Sequence, residues 1–260
     1  MAILNYETGP IQAEAAFTSD FPVASEIKMH DLVNMQEIER RTMDVRPGMR
    51  HKYMPLGFDR FSGALWTGGR YLFDTWENVK DYERFTSEEL EFEPNVKFWS
   101  RPFFLNVQRN IWRVAGAHDF KPLATSHHVV RFERFSTQHD QLDQLLKEVW
   151  PTLREQAQAL GLSSAWLMFN QDEKQVSIVT VAAKVDTGNA AEDSIKALAK
   201  LESMSSLSEL LPSELKLTPL FDRTNPILAQ WLPLSRVAGG EPSVHPMSPP
   251  LAALNVEPQK

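Results

Sequence analysis

Residues 164–182 read SAWLMFNQDEKQVSIVTVA. Two runs rich in aromatic and β-branched residues, Ser164–Phe169 and Val176–Ala182, flank a polar tip at Asn170–Lys174, which predicts a β-hairpin. Upstream, Leu142, Leu145, Leu146, Val149, Leu153, Ala157 and Leu160 recur at spacings of three and four, the stripe of an amphipathic helix. Ser136 or Thr137 is expected to cap its start and Gly161 to end it. Pro151 falls inside the stripe and predicts a kink near Trp150. Before this helix, His127–Glu133 alternates as a strand. After the hairpin, a helix over Ala190–Met204 carries Ile195, Leu198 and Leu201 on one face. A closing run, Leu215–Phe221, completes the order β-α-β-β-α-β, the split βαβ or ferredoxin-like unit.

The first half reads the same way. Ile3–Tyr6 is a candidate strand, and a helix falls between Ser25 and Met43. Arg50–Met54 is a strand. Gly68-Gly69 predicts a turn into the strand Arg70–Phe73. Thr75 caps a helix carrying Trp76, Val79, Tyr82 and Phe85. Val96–Leu105 supplies a further strand bent at Pro102. The fold class is therefore α+β, with tandem ferredoxin-like halves over 1–122 and 123–235 enclosing an apolar pocket. Residues 57–66 and 106–122 are insertions, the latter a linker or an extra strand and turn. From 236 to 260, Gly239-Gly240 and five prolines predict an extended or disordered tail.

Composition narrows the function classes. A net charge of −7 argues against a general affinity for nucleic acid or anionic membranes. The absence of cysteine excludes disulfides, thiolate metal sites and cysteine nucleophiles, and fits a cytoplasmic protein. The N-terminus lacks the basic and apolar regions of a signal peptide. No apolar run approaches the roughly 18 residues of a membrane span. Seven Trp and fifteen Phe are enough to fill a core or to line a pocket for a flat apolar ligand.

The segment Gly68-Gly69-Arg70-Tyr71-Leu72-Phe73-Asp74-Thr75, followed by Trp76 and a helix, resembles the third strand and second helix of dimeric α+β barrel proteins. These include cofactor-free monooxygenases, the YdhR family and the antibiotic-biosynthesis monooxygenase type. The second half is similar to them in element order. The resemblance implies two four-stranded sheets packed face to face, helices outside, and by analogy a homodimer. It also implies chemistry on aromatic or polyketide-like compounds, often without a cofactor, although some members bind haem.

Chemistry of that kind needs an acid or base, a cation for a developing oxyanion, and aromatic walls. His51 and Tyr53 stand two apart on a strand and project from one face, a pair able to pass a proton; the alternative is a solvated strand edge. His118 lies beside Asp119 after two small residues, where a carboxylate can orient the imidazole and make it more basic; the alternative is a turn. His127 and His128 face opposite sides of one strand, so only one of them reaches a given cavity. Arg70, Arg101 and Arg109 are candidate carboxylate partners. Trp66, Tyr71, Phe73, Trp99, Phe103 and Trp112 are candidate pocket walls, or plain core.

Nucleotide-binding glycine motifs, HExxH and GxSxG are all missing, and no histidine spacing predicts a metal site. Two readings stay open. One is a cofactor-independent enzyme acting on an aromatic or polycyclic small molecule, by lyase or monooxygenase chemistry. The other is a non-catalytic binding or assembly protein of the same fold, or a haem-binding member.

Overall fold

The computed structural model describes residues 8–28, 30–32, 35, 46–58, 62–121, 129–183 and 190–231. The first half contributes β1 (Gly9–Pro10), β2 (Ala15–Pro22), β3 (Met49–Phe58), β4 (Leu65–Phe73) and helix α1 (Trp76–Arg84). A small hairpin of β5 (Glu91–Glu93) and β6 (Val96–Lys97) follows, then β7 (Gln108–Asp119). The second half contributes β8 (Val129–Ser136), α2 (Leu142–Ala159), β9 (Ser164–Asn170), β10 (Gln175–Ala182), α3 (Ala190–Ser203) and β11 (Thr218–Trp231). Within each half the strand order is ferredoxin-like: β7-β2-β4-β3 and β11-β8-β10-β9.

Two long strands join the halves. β7 pairs with β2 through residues 108–113 and then with β9 through residues 113–119. β11 pairs with β8 and then, from Ile227 onward, with β3, the register shifting between Ile227 and Ala229. These seams close eight strands into a barrel, and β1 adds a short rung to the end of β7. The barrel is completed within one chain.

Alternation along the strands sorts the side chains into layers. On β2, Ala15 and Phe17 face α1 while Ala16 faces the lumen. The second half packs Leu142, Leu146, Leu153 and Ala157 of α2 and Leu201 of α3 against Ala165, Leu167, Val176 and Ile178. Among the described residues, no helix is long and apolar enough to cross a membrane.

The hairpin and both helices of the second half stand where the periodicity predicts them. Three details differ. Helix α2 begins at Leu142, whose N–H donates to Gln171 Oε1 at 2.9 Å, so the hairpin tip caps it rather than Ser136 or Thr137. It also runs through Pro151 without interruption. Pro151 is exposed, so the carbonyl that loses its partner one turn back faces solvent. The closing strand extends well beyond Phe221, to Trp231.

The first half needs larger corrections. Gly68 and Gly69 lie inside β4 and make no turn. A Cβ on Gly68 would strike the Ser19 carbonyl, and one on Gly69 the Tyr71 ring, so both glycines serve close approach. Val96–Leu105 is not one strand. After β6 it becomes a 3-10 turn at Phe98–Ser100 and an aromatic knot of Phe98, Trp99, Phe103 and Phe104. The fourth strand is β7, inside the segment read as a linker or an extra strand. The opening strand is β2, whereas Ile3–Tyr6 lies outside the described residues. So do most of the helix expected before Met43, the boundary at 122–123, and the tail 236–260.

Candidate functional site in the barrel lumen

Contacts between non-adjacent strands show which side chains fill the barrel. Tyr53 of β3 stacks on Trp166 of β9, with centroids 5.2 Å apart and planes at 16°. His51 lies 4.1 Å from the Tyr53 ring and 5.4 Å from Trp166. The Arg70 guanidinium of β4 sits 3.9 Å over Phe132 of β8. Arg134 of β8 donates to Gln108 Oε1 of β7 at 2.9 Å. Arg223 of β11 lies 4.0 Å over Trp66 of β4. On the lumen face between these, Trp112 Nε1 donates to Thr18 Oγ1 at 2.9 Å.

One end of the lumen is basic. Arg70 donates to Asp20 Oδ1 at 2.6 Å and to the carbonyls of Ser19 and Gly69 at 2.7 and 2.9 Å. Asp20 and Arg70 are 4% and 2% exposed. Arg134, Arg223, Trp66 and Phe221 stand half-buried around them, so this end meets solvent. Burial pushes the Asp20 carboxyl above its ordinary value, with Arg70, Arg134 and Arg223 pulling the other way.

The other end is aromatic. Tyr53 is the register partner of Arg70 on the neighbouring strand, and His51 is the partner of Leu72. Directly paired residues place their side chains about 5 Å apart on one face. Asp20, Arg70, Tyr53 and His51 therefore form one polar row through the lumen, walled by Phe132, Trp112 and Trp166. His51 and Tyr53 are fully buried. β3 is an inner strand, paired with β4 and β11, so the solvated-edge alternative is ruled out.

The remaining sequence candidates scatter. Asp119 is buried at the aromatic end beside Ser164, its register partner, while His118 lies on the opposite face of β7. His118 stacks on Phe120 at 4.7 Å. Burial and the nearby Arg154 hold its imidazole below the ordinary value of 6.5, so it is less basic than usual, contrary to the expectation drawn from Asp119. A histidine of lowered pKa favours the folded state while neutral. That contribution is complete above about 6.5 and is lost as the pH falls through the unfolded value. His118→Gln is therefore expected to flatten the fall in Tm between about pH 7 and 5, read by thermal melts.

Tyr71 faces outward, packing on Phe17 and Tyr82 beneath α1. Arg101 is buried in the aromatic knot, its Nε donating to the Phe98 carbonyl. Arg109 is exposed and donates to Ser87. His127 and His128 lie outside the described residues. Asp20, Arg134 and Arg223 were missed. Their one available signal is parity: each falls on the alternate positions of its strand that hold lumen residues.

Among the described residues, the lumen is lined by rings that alternate with buried polar groups. Two clefts of about 590 and 300 Å³ lie outside the barrel, where β7 passes between the halves. They share Arg113, Phe169 and Gln171 and include none of the candidate residues. A haem would need room and an axial ligand; in the second half the described space between sheet and helices is packed with leucine, isoleucine, alanine and phenylalanine side chains, with His118 at its edge against Phe120.

The strand order and closure define a dimeric α+β barrel fold, built here from one chain. No protein-family model matches the sequence, and no curated protein does. Solved structures do match. An anthrone oxidase-like protein is 11% identical over 84% of this chain and 92% of its own, with TM-score 0.49. A monooxygenase-like protein from Listeria innocua is 12% identical over 84% and 94%, with TM-score 0.39. A ferredoxin-fold protein from Listeria monocytogenes, related to antibiotic biosynthesis monooxygenases, is 11% identical over 84% and 95%, with TM-score 0.37. The fold assignment rests on this chain's own topology, to which such remote likenesses add nothing.

Proposed function

We propose that this protein is an enzyme that acts, without a cofactor, on an aromatic or polycyclic small molecule by acid–base chemistry. The observation that supports this reading is the lumen row Asp20–Arg70–Tyr53–His51. A buried carboxyl held above its ordinary value is suited to giving and taking a proton. The guanidinium beside it can hold developing negative charge. Tyr53 and His51 behind it can each donate or accept a hydrogen bond and so relay a proton. Trp66 and Phe221 at the basic end offer flat walls for a ring.

Two reactions suit such a row. In a decarboxylation the carbon–carbon bond breaks, carbon dioxide leaves, and the row returns a proton to the carbanion. In an oxygenation the row removes a proton, dioxygen adds to the carbanion, and a CH2 becomes a carbonyl while the second oxygen leaves as water. The purified protein is incubated with hydroxylated polycyclic acids and ketones in air and under nitrogen, and products are followed by mass spectrometry. Turnover is expected, and its dependence on oxygen separates oxygenase from lyase. A folded protein that turns over none of the panel in either atmosphere overturns the proposal.

A further inference from the structure

We infer that the basic end of the lumen is a seat for an acceptor oxygen, the carbonyl of a flat aromatic ketone, held by Arg70, Asn110 and Arg134. This deepens the proposed function by naming the group the substrate presents. It rests on that reading for the fate of the ligand, and not for its binding.

Three N–H groups at this end are buried and have no acceptor among the described residues: Arg70 Nε, Arg134 Nε and Asn110 Nδ2. The outer nitrogens of the same arginines are served. Both terminal nitrogens of Arg70 donate, to Asp20 and to the carbonyls of Ser19 and Gly69, and Arg134 Nη2 donates to Gln108. The strand register brings the three side chains to one place. Thr18 of β2 is the partner of Arg70 on β4 and of Asn110 on β7, and Asp20 is the partner of Gln108. Arg70, Thr18 and Asn110 therefore form a row across three strands on the lumen face. Arg134 reaches the adjoining row through Gln108, where Asp20 attracts it and Arg70 repels it. Thr18 is wholly buried and already accepts from Trp112 Nε1 at 2.9 Å, so its own hydrogen adds to the donors of this row.

A buried donor without an acceptor costs free energy, and a site that gathers several of them is built for a partner that accepts. A carbonyl oxygen has lone pairs and no hydrogen of its own, so it meets that need. A hydroxyl would bring a further hydrogen to a place already rich in them. Two of the three donors are cationic, so they hold the oxygen more firmly once it carries charge. Removing a proton from the carbon beside the carbonyl sends the C–H electron pair toward that oxygen as an enolate, while the proton passes to a base of the lumen row. Phe132, 3.9 Å from the Arg70 guanidinium, and Trp112, bonded to Thr18, set rings beside the seat, which suits a flat aromatic guest.

The test uses three probes of similar size: 1-tetralone, which only accepts, tetralin, which lacks the oxygen, and indole, which only donates. Affinities are measured by calorimetry, and the carbonyl stretch of carbon-13-labelled tetralone by infrared difference spectroscopy. Tetralone is expected to bind one per chain, at least about tenfold tighter than tetralin or indole, with its stretch at lower wavenumber than in water. Asn110→Leu and Asn110→Asp should each weaken tetralone by about three- to tenfold, return part of the shift and leave tetralin unaffected. Asn110→Asp places an acceptor of its own among the orphaned donors, so it should also melt no lower than the parent. Three results overturn the inference: tetralone bound no better than tetralin, indole bound as tightly as tetralone, or tetralone affinity and stretch unchanged in both Asn110 variants. Tetralone held with a shifted stretch, but no turnover of any compound of the panel, would count against the enzymatic reading and leave this seat standing. Turnover of the panel with no preference for tetralone over tetralin would do the reverse.

Discussion

Replacing Arg70 by methionine is expected to destabilise the protein by about 3–5 kcal/mol at neutral pH, the usual cost of removing one partner from a buried ion pair. Methionine keeps much of the side-chain volume over Phe132, so the loss reports on charge rather than on a cavity. What remains is Asp20, 4% exposed, stripped of its 2.6 Å partner. Thermal melts should show a drop in Tm on the order of 10 °C. The pH dependence gives the sign. Burial already holds the Asp20 carboxyl above its unfolded value. Losing Arg70 removes the strongest opposing influence and raises it further. A carboxyl with a raised folded pKa weakens the fold as pH rises through that value. The deficit of Arg70→Met is therefore largest at neutral pH and shrinks on acidification. The double variant Asp20→Leu, Arg70→Met should recover much of the loss. A deficit independent of pH would mean that packing, not the pair, is what Arg70 supplies.

Conservative changes at the buried pair carry the second large effect. Tyr53→Phe keeps the ring that stacks on Trp166 and removes one hydroxyl; His51→Gln keeps a hydrogen-bonding group and removes the imidazole. On a substrate that is turned over, each should lower kcat by about 10²–10⁴-fold, the contribution typical of a positioned acid or base. KM should change little, because a group that moves a proton in the transition state contributes to kcat rather than to ground-state binding. The measurement is steady-state kinetics across pH beside thermal melts. A loss appearing mainly in KM, or tracking Tm, would make the two residues structural packing. The two substitutions should also combine less than additively if one proton path uses both.

How much of this was legible from sequence differs between the halves for physical reasons. The second half buries leucine and valine at regular spacing against its helices, so periodicity exposes Leu142–Ala159 and the 164–182 hairpin directly. In the first half, β2 reads AAFTSDFP, with small and polar residues on its lumen face, and simple alternation of apolar and polar hides it. β7 was obscured by its double duty. It leaves one half for the other around Arg113, with an irregular register between Val114 and Gly116, so no single period runs its length. Same-face logic placed His51 beside Tyr53. It could not bring Arg70 to Asp20, fifty residues away, because that meeting depends on β2 pairing with β4, or Arg134 to Gln108, because that one depends on how the barrel closes. His118 failed for a local reason: neighbours on a strand point to opposite sides, so Asp119 cannot orient it.

Closure of the barrel by two tandem halves has a further consequence for symmetry. β2 corresponds to β8, β3 to β9 and β4 to β10. The printed registers then make Tyr53 the counterpart of Trp166, Asp20 of Arg134, and Arg70 of Val179. An assembly of two identical chains would set each of these residues against its own copy near the axis, tyrosine on tyrosine and aspartate on aspartate. Here the duplicate positions have diverged, and an anion meets a cation across the pseudo-twofold instead of a like charge. The two sides of this lumen therefore differ in chemistry, where a barrel of two identical chains would repeat the same side twice.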